Sequence, residues 1–357
     1  MDLILAGVFS KCSILPSFMA IRRHAVAAVP LGVAAAVCIS AFLAANYQKT
    51  RRIASKQDHV DVNPVAVATG RRAPEDEQVF SLYGSVDAEP HAPPMDLSRS
   101  VLALLESFDV DPVRGFLPRI DPLRRLLQAE LQPWEAMAVA LPSLLAVGQA
   151  RKPLEALPEL SIGELFVPNV LTCHRERMRA LLLLCVFAHA SVWGNTEQPE
   201  DTIPRVVAVP LTALAAAEGM PPLLTHTSLV LHNWHRLDPS GPVRAENLAC
   251  NCRFLGGLDE TWFYIATVEI EARGGGVFGA LLEVGDDAAD PDTAPSMAAA
   301  RVVLEALAVA RAGIVSMREA LSRMPVGCHP LIFYQRVRPF LSGWKANPTL
   351  PDGVLYE

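Results

Sequence analysis

The sequence predicts an all-α fold, and three observations carry that prediction. Aromatic residues make up only 6% of the 357 positions while Ala and Leu are abundant, and no sustained alternation of β-branched residues appears. From Leu97 onward apolar residues recur at helical rather than strand spacing. Turn signals cut that pattern into helix-length pieces at "DPVRGFLP" (111–118), "QPW" (132–134) and "RKPLEALPEL" (151–160). With 51% apolar and 19% charged residues, the chain is long enough for two packed domains.

The net charge of −7 is unevenly spread, because residues 1–57 carry seven Lys/Arg against the single acid Asp2. The remainder is therefore acidic, which argues against nucleic acid as a partner. Seven scattered cysteines with no CxxC pair suggest neither a disulfide framework nor a zinc site, and fit a reducing compartment.

The chain opens on a basic segment, 1–24. Residues 25–45, "AVAAVPLGVAAAVCISAFLAA", follow without a charge over 21 positions, close to the roughly 20 needed to span a bilayer as a helix. Nine of them are Ala and one is Pro30, so the apolar driving force is modest. Arg22 and Arg23 before the run, and Lys49, Arg51, Arg52 and Lys56 after it, place the body on the cytoplasmic side of a single-pass anchor. The same acid-poor, basic stretch also fits a removable organelle-targeting presequence, so a mitochondrial or a soluble cytoplasmic location stays open. Residues 46–96 read as a linker, with five prolines and the charged cluster "RRAPEDE" in 58–96.

In the body, Thr172 is placed to cap a helix over 173–193 that stops at Gly194. Its uncharged part, 180–194, is too short to cross a membrane and reads as a buried core helix. Residues 209–242 read as two helices broken at Gly219, Pro221 and Pro222, and 296–324 as a further helix with its charges on one side.

Several motifs have plain structural readings beside functional ones. Gly274, Gly275, Gly276 and Gly279 lack the lysine of a phosphate loop. His232 and His235, at i and i+3, are able to share a helix face, yet no carboxylate stands at matching spacing, so capping or packing is the expected role. Cys250 and Cys252 are too close for a zinc knuckle and read as core thiols. Neither G-x-S-x-G nor H-E-x-x-H occurs. In "GLDETWFYIATVEIE" (257–271), a helix cannot bury Trp262, Phe263 and Tyr264 on one stripe, so at least one faces something else, with a pocket and the core as the two options. Arg338 offers a planar two-pronged donor for a carboxylate with Phe333 five positions before it, which suits an amino acid or another small aromatic acid. An ordinary ion pair is the alternative.

The ordered motifs resemble the indoleamine 2,3-dioxygenases, haem enzymes that cleave the indole ring of tryptophan, and especially their fungal branch. The pieces are "GFLP" (115–118), "PWE" (133–135), "LTCHRERMRALLLLCVFAHASVWG" (171–194), "IPRVVAVPLTALAAAEGMPPLLTHTSLVLHNWHRLDP" (203–239), "TWFYIATVEIEARG" (261–274) and "LSGWKANPTLPDGVLYE" (341–357), in family order from near Phe108 to Glu357. The resemblance implies a small helical domain, 97–245, closing over the first part of a large haem-binding domain, 246–357. Phe263 and Phe333 match distal-pocket aromatics, and Arg338 matches the arginine that receives the substrate carboxylate. Thr267 stands where the family commonly has serine, and Ser191 where many members have tyrosine. Phe263 and Thr267 would face haem b, and all five would meet substrate. The substrates implied are L-tryptophan and O2, the product is N-formylkynurenine at the start of the kynurenine pathway, and the implied state is a monomer. None of the nine histidines matches the family's proximal iron ligand, so that ligand is expected beyond Glu357 in a C-terminally truncated chain. The rival reading is an inactive, membrane-tethered helical remnant.

Overall fold

The computed structural model describes residues 95–160, 163, 170–195, 198–284 and 296–357. The basic segment 1–24, the candidate span 25–45 and the linker up to residue 94 lie outside the described residues. Among those described, no helix is long and apolar enough to cross a membrane. The chain divides into two compact units, one of residues 1–13, 91–283 and 304–357 and the other of 14–90 and 284–303. Of the second, the described part is Val284 and 296–303, the latter holding the start of a long helix. The site lies in the first unit.

The described residues are predominantly α-helical, as composition and spacing predict. Helix α1, Arg99–Ser107, starts where the Ser98 hydroxyl accepts from the Val101 N–H at 3.3 Å. Helices α2 (Gln132–Ala146), α3 (Arg151–Glu155), α4 (His174–Trp193) and α5 (Arg205–Ala217) follow. Then come α6 (Leu258–Glu283), α7 (Met297–Ser322), α8 (Met324–Gly327) and α9 (Pro330–Ile332). The helix expected over 296–324 is thus α7, with the chain re-entering a separate short turn at α8 beside Pro325. Four short strands form two ladders: β1 (Thr202–Ile203) runs parallel to β4 (Leu355–Tyr356), and β2 (Trp234–Arg236) antiparallel to β3 (Leu248–Cys250).

Two local expectations need correction. Helix α4 begins one residue later than expected, with Cys173 as its N-cap. Thr172 does not cap it; its hydroxyl donates to Glu176, whose carboxylate also accepts the N–H groups of Thr172 and Cys173. The second helix expected within 209–242 is absent. After α5, Gly219 turns the chain at φ +64°, one π-helical turn covers Thr227–Leu231, and the backbone then extends into β2. The loop that closes the hairpin explains this: the Asn247 side-chain amide donates to the carbonyls of Asp238 and Pro242, bringing Arg236 opposite Leu248. His232 therefore closes the π-turn while His235 sits on a strand, and the two do not share a helix face.

Helix α4 is the centre of the larger core, buried at every position from Met178 to Trp193. A helix enclosed on all sides has no wet face for its polar residues. Arg179 meets this by a two-pronged bond to Glu135 of α2, Nε to Oε1 at 3.0 Å and Nη2 to Oε2 at 2.6 Å, with both side chains under 5% exposed. Glu135 Oε1 also accepts the Leu126 N–H at 2.9 Å, tying the preceding loop to the pair.

Helix α6 carries the glycine patch, and close packing explains it. A Cβ on Gly275 would lie 2.1 Å from the Val113 carbonyl oxygen, and one on Gly274 would meet Met317 of α7. At the start of α6 the buried Glu260 carboxylate accepts the N–H groups of Phe254, Leu255 and Gly256 and the Tyr264 hydroxyl, anchoring the entry loop.

Arg179→Met should destabilise the protein by about 3–5 kcal/mol, because it leaves the Glu135 carboxylate buried without its partner. The double change Arg179→Met with Glu135→Leu should recover most of that loss. Urea unfolding of the two variants and the parent measures both.

Candidate functional site

The aromatic pair singled out in the sequence is brought together by two different devices. Phe263 lies in the second turn of α6, half-buried at the seam where both large hydrophobic clusters meet. Phe333 opens a second π-helical turn, Phe333–Val337, directly after α9. The wider turn keeps Phe333 and Val337 inward while residues 334–336 face out. The two phenyl rings are 4.4 Å apart between centroids and tilted by 42°. The neighbours on α6 divide as helix geometry requires: Tyr264 is fully buried, whereas Trp262 points its Nε1–H at the Arg323 carbonyl at 3.1 Å.

Arg338 follows the π-turn, and Pro339, which has no N–H to offer, tightens the chain into a 3-10 turn over Arg338–Leu341. Its guanidinium lies over the Tyr334 ring, 4.9 Å from the centroid. Among the described residues it has no acidic partner, so the ion-pair alternative does not hold there. A half-buried guanidinium braced on an aromatic face, with its donors unspent, is equipped to receive a carboxylate.

The Arg338 segment is fastened to α4 through its own backbone. Buried His189 donates from Nδ1 to the Phe340 carbonyl at 2.8 Å and accepts the Leu224 N–H on Nε2 at 3.1 Å. Both partners have fixed roles, so the neutral tautomer with its proton on Nδ1 is specified. One turn on, Trp193 Nε1 donates to the Ser342 carbonyl at 2.8 Å, and the Phe340 ring stacks on Phe254 at 4.9 Å.

The remaining two candidates keep their hydroxyl protons occupied. Thr267, one turn after Phe263, donates to the Phe263 carbonyl at 2.6 Å. Ser191, buried in α4, donates to the Phe187 carbonyl at 2.9 Å, and no hydrogen bond links it to the other four among the described residues. The structure thus joins Phe263 with Phe333 and sets Thr267 on the same helix. The roles of Tyr334 beneath Arg338 and of His189 behind it were not assigned from the sequence. The i, i+4 spacing of Tyr334 and Arg338 was a usable signal, while His189 gives none until its two distant partners are known. Cys250 and Cys252 are core thiols as expected, their ionisation opposed by burial.

Fold and site together define a predominantly α-helical protein with a packed aromatic pair, Phe263 and Phe333, and, five residues after Phe333, an arginine with no acid partner among the described residues. Residues 104–357 match the family model described as indoleamine 2,3-dioxygenase. Similar proteins include the indoleamine 2,3-dioxygenase of Saccharomyces cerevisiae, 33% identical over 263 residues that cover 71% of this chain and 56% of the relative. Indoleamine 2,3-dioxygenase 2 of Homo sapiens is 33% identical over 270 residues, covering 75% and 62% respectively. Indoleamine 2,3-dioxygenase 1 of Rattus norvegicus is 32% identical over 256 residues, covering 71% and 59%. The chain belongs to the indoleamine 2,3-dioxygenase family. It spans 56–62% of the length of these three curated relatives.

Two histidines with desolvated rings, His189 and His232, make stability depend on pH. Burial lowers the pKa of both His189 and His232 from 6.5 to about 4, the His232 shift being reinforced by His174 and opposed by Glu218. An unfolded chain takes up these protons near pH 6.5, whereas the folded one resists until about pH 4. Their stabilisation is complete above pH 6.5 and is lost as pH falls towards 4. For His189 alone the loss at the bottom of that window is on the order of 3 kcal/mol. Urea unfolding at pH 7, 5.5 and 4.5 should show a steady decline, and His189→Gln should be less stable at pH 7 with a shallower decline.

Proposed function

We propose that this chain forms the substrate-recognition part of a haem-dependent dioxygenase that opens the indole ring of L-tryptophan with O2 to give N-formylkynurenine. The observation that carries this reading is Arg338, braced on Tyr334 without an acid partner and set five residues after a phenyl ring that meets Phe263. Family membership supplies the reaction class, and the residues supply the substrate class: a carboxylate joined to a flat apolar ring.

In this reading Arg338 takes the carboxylate through paired N–H donors, with Tyr334 holding the guanidinium plane. Phe263 and Phe333 stand too close together for a ring to enter between them, so the indole lies against the outer face of the pair. Because Thr267 has already given its proton to the Phe263 carbonyl, its oxygen acts as an acceptor, suited to the substrate ammonium or indole N–H and not to an oxygen atom. Ser191 has given its proton away in the same manner and contributes small volume where a larger residue would fill space.

Haem b, when bound, supplies the activation of dioxygen. The apolar faces of Phe263 and Phe333 suit one side of a porphyrin. His189, although tied to the Arg338 segment, has both ring nitrogens engaged and is not a free axial ligand. The described residues therefore account for binding and orientation of the substrate. The two-domain division near residues 240–250 belongs to the same reading, with the β2–β3 hairpin leading from the smaller helical domain into α6.

Arg338→Ala should weaken L-tryptophan binding by roughly ten- to a hundredfold, as expected for loss of a charged hydrogen bond of about 1.5–3 kcal/mol. Tryptamine, which lacks the carboxylate, should bind parent and variant alike. Titration of both ligands into a haem-loaded protein completed at its C-terminus, followed by assay for N-formylkynurenine, is the test. Equal loss for the two ligands would remove Arg338 from carboxylate recognition, and absence of product from the completed parent would overturn the proposed reaction.

A further inference from the structure

A second cluster of arginines, on elements other than the one bearing Arg338, has no role in this reading. The stretch 113–128 holds Arg114, Arg119, Arg124 and Arg125 with Asp121 as its single acid, in a chain whose net charge is −7. The fold adds two more cations to that acid. Arg114 Nη1 reaches Asp121 Oδ1 at 2.8 Å, and Arg236 Nε, from strand β2, reaches Oδ2 at 2.6 Å. Arg175, in the first turn of α4, donates from Nη2 to the Asp121 backbone carbonyl at 2.6 Å. Arg114, Arg236 and the Asp121 carboxylate are each about one-fifth exposed.

The Asp121 carboxylate therefore meets two guanidinium groups, from a loop and a strand, and its backbone carbonyl meets a third from the start of α4. Arg124, three residues after Asp121, is a fourth cation, exposed and without an acid partner among the described residues. Arg119 is excluded from the count, since Glu106 and Asp111 lie beside it, as is Arg125, which donates to Gln132. Donors remain after Asp121 is satisfied. The recorded bonds use Nη1 of Arg114, Nε and Nη1 of Arg236 and Nη2 of Arg175, and Arg175 Nε is buried without a partner. Each guanidinium has five N–H groups, so the outer nitrogens stay available.

We propose that Arg114, Arg124, Arg175 and Arg236 form a binding site for a small tetrahedral oxyanion of the phosphate class. Donors arriving from three elements suit an anion with several oxygens better than a flat carboxylate, and a second negative charge relieves the mutual repulsion that Asp121 alone leaves. The carboxyl of Asp121 is already held below its ordinary range, where partial burial would raise it and the bonds from Arg236 and Arg114 prevail. It therefore remains an anion in the cluster at neutral pH, and the bound oxyanion adds to it without replacing it.

The test titrates inorganic phosphate into the protein at constant ionic strength set with chloride, reading the rise in melting temperature. Saturable stabilisation is expected in the parent. Arg175→Gln should weaken apparent phosphate affinity roughly tenfold. Arg124→Gln, at an exposed position with no acid partner, should fold as the parent does and weaken affinity by a smaller factor. Tryptophan affinity should be unchanged in both. A phosphate effect no larger than that of chloride, or one equal in parent and both variants, would overturn the proposal. So would binding to vesicles containing anionic phospholipid without any response to inorganic phosphate, since the recognised charge would then be a surface and not a small ion.

Discussion

Helix α4 is enclosed on every side from Met178 to Trp193, and each polar group it carries must find its partner inside the protein. That constraint organises the fold. Arg179 draws in Glu135 and, through it, the loop at Leu126. His189 draws in the carbonyl of Phe340 and the N–H of Leu224, and Trp193 draws in the carbonyl of Ser342. Segments between 35 and 151 residues away are thus located by three side chains of one helix. Leaving any of these groups unpaired in a dry interior costs more than the pair gains, which is why such bonds act as positional constraints more than as sources of stability.

Several half-buried arginines are matched by acids: Arg273 by Glu269, Arg236 by Asp121, Arg177 by Glu218. Arg338 has a tyrosine ring and no acid among the described residues. A half-buried guanidinium without an acid keeps donors that a ligand carboxylate is able to use. The chain around it is irregular. A π-turn and a proline-led 3-10 turn replace regular helix between Phe333 and Leu341, and hydrogen bonds from α4 hold that irregular path in place. Phe263 is fixed at the seam of two hydrophobic clusters and packs against Phe333.

The α-helical class, the core helix over 174–193 and its stop at Gly194 were legible in the sequence because they follow from composition, period and local punctuation, which act over a few residues. Phe263, Phe333 and Arg338 were singled out through ordered motifs, and of these the structure places Phe263 against Phe333. The helix expected after Pro222 and the shared face of His232 and His235 were misread for one reason. Periodicity within 223–236 is too short to separate a helix from a π-turn and a strand, and the deciding contact comes from Asn247, outside that window.

By itself, then, the sequence determined what depends on neighbours in the chain: helical class, approximate breaks, and the kinds of side chain available to a site. Tertiary structure alone decided which of those side chains are already committed. His189 is spoken for by Phe340 and Leu224, Thr267 and Ser191 have spent their protons on carbonyls one turn back, and Arg338 has no acid partner among the described residues. The physical reason is that hydrogen bonds and ion pairs are short-ranged in space but indifferent to separation along the chain. Which donors remain open is settled only when distant segments meet.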